Sequence, residues 1–134
     1  MTQQPETIAK QWLEASAQTA TSKQFEEHFN LISKRVQVKG VPGFESISYN
    51  DWARQCEQEF KENVLERVSY EGLLITAYND KQIMFKTLES VFATDGTKKT
   101  HGVEIVLEKE QDGVWRVIQE RIMPDDESRH AGLL

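Results

Sequence analysis

The hydrophobic period changes along this chain, and that change limits the fold more than any single motif. Before residue 63, apolar side chains recur mainly at helical spacing. From Val64 to Met123 they follow the two-residue alternation and β-branched enrichment of strands. Helices first and strands after describe an α+β domain with an antiparallel sheet, because a parallel sheet would need a helical crossover between successive strands.

Pro5 suits the first turn of a helix, where its missing N–H costs nothing, and Ile8, Trp12, Ala15 and Ala20 continue the helical spacing. Thr21-Ser22-Lys23-Gln24 reads as a capping box opening a short second helix with Phe25, Phe29 and Ile32 on its apolar side. Arg35–Lys39 alternates like a strand, and Gly40-Val41-Pro42-Gly43 breaks it into a loop. Ser48-Tyr49-Asn50-Asp51 is a second capping box. Behind it Tyr49, Trp52, Ala53, Cys56 and Phe60 form the sharpest amphipathic stripe in the chain. Strands are expected over Val64–Tyr78, Gln82–Ala93, Gly102–Lys109 and Val114–Met123. Pro124 ends the last of them, and residues 125–134 read as a frayed tail. The 134 residues make one domain, residues 1–134, with an ordered core over about residues 5–124, since domains cluster near ~100–150 residues.

Charge and cysteine usage remove several classes of function. Residues 1–67 hold 8 Lys/Arg and 10 Asp/Glu and residues 68–134 hold 8 and 12, so the net charge of −6 is spread over both halves. A nucleic-acid binder needs a basic face to displace counterions, and none is present. One cysteine, Cys56, excludes an internal disulfide and any Cys-Cys metal spacing, and His28 has Ile32 rather than a second ligand at i+4. No P-loop, dinucleotide-binding, HExxH or nucleophile-elbow pattern occurs. No cofactor, metal, nucleic acid or membrane is therefore expected. The N-terminus lacks a basic segment followed by an apolar one, so a cytoplasmic location is expected.

The turn Gln111-Asp112-Gly113 decides which side chains of the last strand face the helices. A two-residue Asp-Gly turn puts Glu104 opposite Arg121 and Val106 opposite Gln119. A three-residue loop with Gly113 left-handed puts Val103 opposite Arg121 and Ile105 opposite Gln119. The second gathers Val103, Ile105 and Leu107 on one face with Trp115 and Val117, and that burial favours it. Gln119 and Arg121 then lie on the helix-covered face, where a buried arginine needs a carboxylate or an anionic ligand. Val106, Ile118 and Ile122 fall on the opposite face as an apolar patch suited to a homodimer.

Three local signatures carry a resemblance. They are Val36–Phe44 running into Tyr49-Asn50-Asp51-Trp52, the hairpin Leu73–Leu88, and Asp112-Gly113-Val114-Trp115-Arg116-Val117. With the order of elements, they make residues 5–124 resemble the nuclear transport factor 2-like superfamily, which includes ketosteroid isomerases and SnoaL-like polyketide cyclases. The resemblance implies a curved sheet wrapped as a cone around the helices, a pocket inside it and a dimer on the outer face. It does not transfer an activity. Where the isomerases carry a carboxylate base this chain has Lys39-Gly40-Val41-Pro42. The first helix offers Trp12 rather than a tyrosine, and Val103 and Ile105 stand on the fourth strand. The Arg-x-Asp of the epoxide hydrolases is missing from the third strand, and His28, His101 and His130 are scattered, unlike the dehydratase histidines.

The ligand-pocket candidates are Trp12, Tyr70, Glu89, His101, Trp115, Gln119 and Arg121. Arg121 and Gln119 either line the pocket or form a structural pair with Glu89 or Glu104. His101 is a general base or a solvent-facing residue beside a loop. Glu89 is an acid raised by burial or an outward carboxylate. Trp12, Trp115 and Tyr70 line a cavity for a flat apolar ligand or pack as core. Cys56, on the buried stripe, is inert. The expected function is binding of a small apolar or anionic molecule inside the cone, with its identity and any reaction left open. The alternative is a non-catalytic dimeric module with a filled cavity.

Overall fold

The computed structural model describes residues 4–134. The helices are α1 (Pro5–Thr21), α2 (Phe25–Phe29), α3 (Tyr49–Glu62) and α4 (Asp125–His130). The strands are β1 (Ile32–Lys39), β2 (Ile47–Ser48), β3 (Leu65–Tyr78), β4 (Gln82–Ala93), β5 (Lys98–Lys109) and β6 (Trp115–Ile122). They form one curved, unclosed sheet in the order β2-β1-β6-β5-β4-β3. The domain is α+β, as its sequence indicates. One pairing departs from the antiparallel expectation: β1 lies parallel to β6, reached through the β2–α3 excursion and the β3–β6 meander.

α1 crosses the concave face and buries Ile8, Ala9, Trp12 and Leu13 against Ile83 and Phe85 of β4 and Val103, Ile105 and Leu107 of β5. Pro5 stands in its first turn as expected. The capping box predicted at Thr21 does not form: α2 begins after Gln24 with no side-chain cap. The Thr21 hydroxyl instead accepts from the Val68 N–H of β3 at 3.3 Å, tying helix to sheet. The second box does form, with the Ser48 hydroxyl accepting from Asp51 N–H at 3.3 Å. A bulge in β3 around Gly72 turns its carbonyl toward Thr87, fully buried on β4, whose hydroxyl donates to that carbonyl and to Glu71 O at 3.3 Å.

The last hairpin combines both registers considered for it. Near the turn, Lys109 faces Trp115 and Leu107 faces Val117, the pairing of a three-residue loop, with Gly113 at φ +83°. Arg116 clamps this loop by donating both terminal nitrogens to Asp112 at 2.9 Å and its Nε to Asn30 O at 2.8 Å, so the Asp-Gly-x-Trp-Arg run is a structural staple. Ile118 is then an extra residue, a β-bulge, and beyond it Val106 faces Gln119 and Glu104 faces Arg121. The bulge reverses the faces expected for the end of β6. Glu120 and Ile122 turn inward; Gln119 and Arg121 turn outward.

Two further expectations are corrected. Ile122 packs against the core, so Val106, Ile118 and Ile122 do not share an outer face. Residues 125–130 are not a frayed tail but helix α4, docked on the outer face of β5. Ser128 is fully buried, and a Cβ on Gly102 would come within 2.2 Å of its hydroxyl. Glycine at 102 is what lets the helix approach so closely.

Candidate functional site

The strongest amphipathic stripe of the sequence, on α3, buries none of its residues fully. Trp52, Cys56 and Phe60 face a cavity of about 540 Å³ between α1, α3 and the β1, β3, β4 and β6 side of the cone. That volume lies within the usual range for small-molecule sites, ~300–1,000 Å³. Trp12 and Ala20 of α1, Val38 of β1 and Val91 of β4 make much of the remaining wall apolar, and the loop after β1 contributes Val41 and Phe44 at the mouth.

The polar groups gather at one end. Glu120 of β6 is 8% exposed and its carboxyl reaches the cavity without a hydrogen bond to another described residue. Burial, and then the charge of Glu89, push it up to about 8. Glu89 of β4 also lines the cavity, and His101 Nε2 of the neighbouring strand β5 lies 3.0 Å from its Oε1, fixing the carboxylate's orientation. The Tyr70 hydroxyl is 3.3 Å from Ser16 Oγ, and burial holds the phenol well above its usual range, helped by Glu89 and Glu120. Burial lowers the His28 imidazole to about 4, only partly offset by Glu89, and its Nδ1 is 2.9 Å from Thr19 Oγ1. The Cys56 thiol is pushed up to about 12 by burial and by Glu59, which leaves it unreactive. Nothing among the described residues groups three or more His, Cys, Asp or Glu in an arrangement that would hold a metal ion. Among the described residues no helix is long and apolar enough to cross a membrane.

Of the residues singled out in the sequence, Trp12, Tyr70 and Glu89 line the cavity, and His101 touches it through Glu89. Trp115 does not line it; it borders a shallow depression at the other end of α1, beside Pro5 and Tyr78. Gln119 and Arg121 are excluded by the bulge. Arg121 donates to Glu127 of α4 at 2.9 and 2.7 Å and to Glu104 at 3.2 Å, which raises its pKa further and gives the guanidinium two carboxylate partners outside the cavity. The residue missed is Glu120. Its signal was the rejected register, the one that pairs Glu104 with Arg121. Arg121→Ala should therefore destabilise by only about 1 kcal/mol, the pair being partly screened, and leave the cavity untouched. Hydrogen exchange at the Ser128 and Leu133 amides should accelerate; unchanged protection there would show that Arg121 does not hold α4.

No family model and no curated protein matches the sequence. Solved structures do match. A protein from Catenulispora acidiphila, solved in complex with S-DNPA, is 18% identical with a TM-score of 0.69, covering 93% of this chain and 96% of that one. An NTF2-like protein of unknown function from Pseudomonas putida KT2440 is 12% identical with a TM-score of 0.70, covering 87% and 84%. A protein of unknown function with a cystatin-like fold from Nostoc punctiforme is 11% identical with a TM-score of 0.68, covering 87% and 88%. At these identities the likeness extends to the fold alone.

Proposed function

We propose that this chain, which has the cystatin-like fold of nuclear transport factor 2-like proteins, binds a small, largely apolar molecule in its cavity and exchanges a proton with it. Glu120 is the acid and Glu89, oriented by His101, the base. The observation that carries this reading is Glu120, a residue only 8% exposed whose carboxyl opens on the cavity without a hydrogen bond to another described residue. Burying such a group costs stability, and arrangements of that kind concentrate where a protein uses them. A carboxyl at about 8 stays largely protonated near neutral pH and so has a proton to give, as a general acid must. The complex of the Catenulispora acidiphila protein with S-DNPA supports small-molecule binding by this fold. The open volume counts against the alternative of a filled cavity.

Thermal denaturation with a set of small bicyclic aromatic compounds carrying different polar groups tests the reading. A compound present at about a hundred times its Kd should add ~2.7 kcal/mol, and Cys56→Trp, which fills the cavity from α3, should remove the effect. Absence of any shift across the set, or shifts undiminished in Cys56→Trp, would contradict it.

A further inference from the structure

The titratable side chains of the cavity wall are mainly acidic. Asp51 and Glu59 of α3 stand toward the rim and Glu89 and Glu120 at the far end, and among the described residues no lysine or arginine lines it. Of the cations nearest these acids, Arg54 pairs with Asp51 and offsets that charge on the helix surface, while Lys61 pairs with Glu57 and Arg121 with Glu104 and Glu127, away from the cavity; the His101 imidazole contacts Glu89. His28 does not supply a positive charge near neutral pH, since burial lowers it to about 4. The apolar part of the wall is rich in aromatic faces, with Trp12, Trp52, Phe60 and Tyr70 around the same volume.

We propose, building on the reading of the cavity as a ligand site, that the ligand is an amine: an apolar body ending in a positively charged ammonium group that pairs with Glu120. Three observations converge on this class. An anion would come to rest beside the acidic side chains of Glu89 and Glu120 with no lysine or arginine among the described lining residues to pair with it. A neutral ligand gains nothing from the sign of the wall. An ammonium gains from all of it: its donors supply the hydrogen bonds that Glu120 lacks, and the aromatic faces attract the cation while covering its apolar body. The free-base form of the amine takes the Glu120 proton: the Glu120 O–H bond breaks, an N–H bond forms, and the carboxylate left behind pairs with the ammonium. The anionic ligand anticipated from Arg121 is replaced, since the guanidinium lies on the opposite face of the sheet.

Calorimetric titration of the full chain with three probes of one shape tests this: naphthylmethylamine, naphthylmethanol and naphthoate, near neutral pH. The amine should bind at least about tenfold more tightly than the alcohol, a difference of ~1.4 kcal/mol, and naphthoate should bind most weakly. Glu120→Gln, of nearly the same shape, should lower amine affinity roughly tenfold while changing the alcohol's by less than about threefold. The alcohol or naphthoate binding as tightly as the amine would overturn the proposal and leave the cavity as a ligand site. Failure of all three to bind would overturn both. The wild-type series stands without the variant, so a poorly folding Glu120→Gln would not shield the proposal.

Discussion

Raising the pH from 4.5 to about 8 is expected to cost this protein several kcal/mol of stability through one residue, Glu120. In the unfolded chain the carboxyl ionises near its ordinary 4.5, and in the folded chain only near 8. Between those values the folded state binds the extra proton, so stability falls as pH rises and the loss is complete above about 8. The groups that set this value face it across the cavity end: burial dominates, and the charge of Glu89 adds to it. His28 acts in the opposite direction at lower pH. Its imidazole, lowered from 6.5 to about 4, contributes stability above 6.5 that is lost as pH falls through 4. Comparing wild type with Glu120→Gln cancels that contribution. The variant should match wild type near pH 4.5 and exceed it by several kcal/mol near pH 9, measured by urea denaturation. Parallel pH profiles for the two proteins would refute the buried, unpartnered placement of Glu120.

The second large effect lies at the cavity mouth. Gly40 has φ +84°, and a Cβ there would meet Ile122 O at 2.3 Å and Ile122 N at 3.0 Å, both backbone atoms at the end of β6. Gly40→Ala combines left-handed strain of ~1–2 kcal/mol with overpacking of ~1–3 kcal/mol against atoms that cannot rotate away, so a loss above about 3 kcal/mol is expected. Gly43, in the same loop, has φ +88° but nothing within 4 Å of its Cβ position. Gly43→Ala should therefore cost only the strain, ~1–2 kcal/mol. Equal losses at the two positions, from denaturant midpoints at unchanged m, would show that the loop does not rest on β6. Because that loop carries Val41 and Phe44, its displacement in Gly40→Ala should also weaken binding in the cavity.

The fold was legible in the sequence wherever periodicity speaks. The helix-to-strand change, the Ser48 cap, the three-residue loop at Gly113 and the stripe on α3 all lie within one element or one turn. What was not legible depends on contacts between distant segments. The bulge at Ile118 leaves no local mark. It is favoured by what it achieves beyond the turn, since it takes Arg121 outward to Glu104 and Glu127 and lets Ile122 join the core. Alternation alone, run from the turn without interruption, placed every side chain beyond 118 on the wrong face. The same blind spot hid α4, whose docking needs the absent side chain of Gly102 to receive Ser128, and the parallel pairing of β1 with β6. The stripe on α3 illustrates a different limit. A hydrophobic pattern says which face turns inward, and it cannot distinguish a packed core from the wall of a cavity.

The central claim is that the space beneath α3 takes a small molecule. The three tryptophans provide an internal measurement of it, because Trp12 and Trp52 line the cavity and Trp115 lies outside it. In a proton–nitrogen correlation spectrum of the labelled protein titrated with naphthylmethylamine, the Trp12 and Trp52 indole N–H resonances should move together along one saturation curve while that of Trp115 stays in place. Three stationary resonances at millimolar probe, or movement of Trp115 alone, would contradict the account.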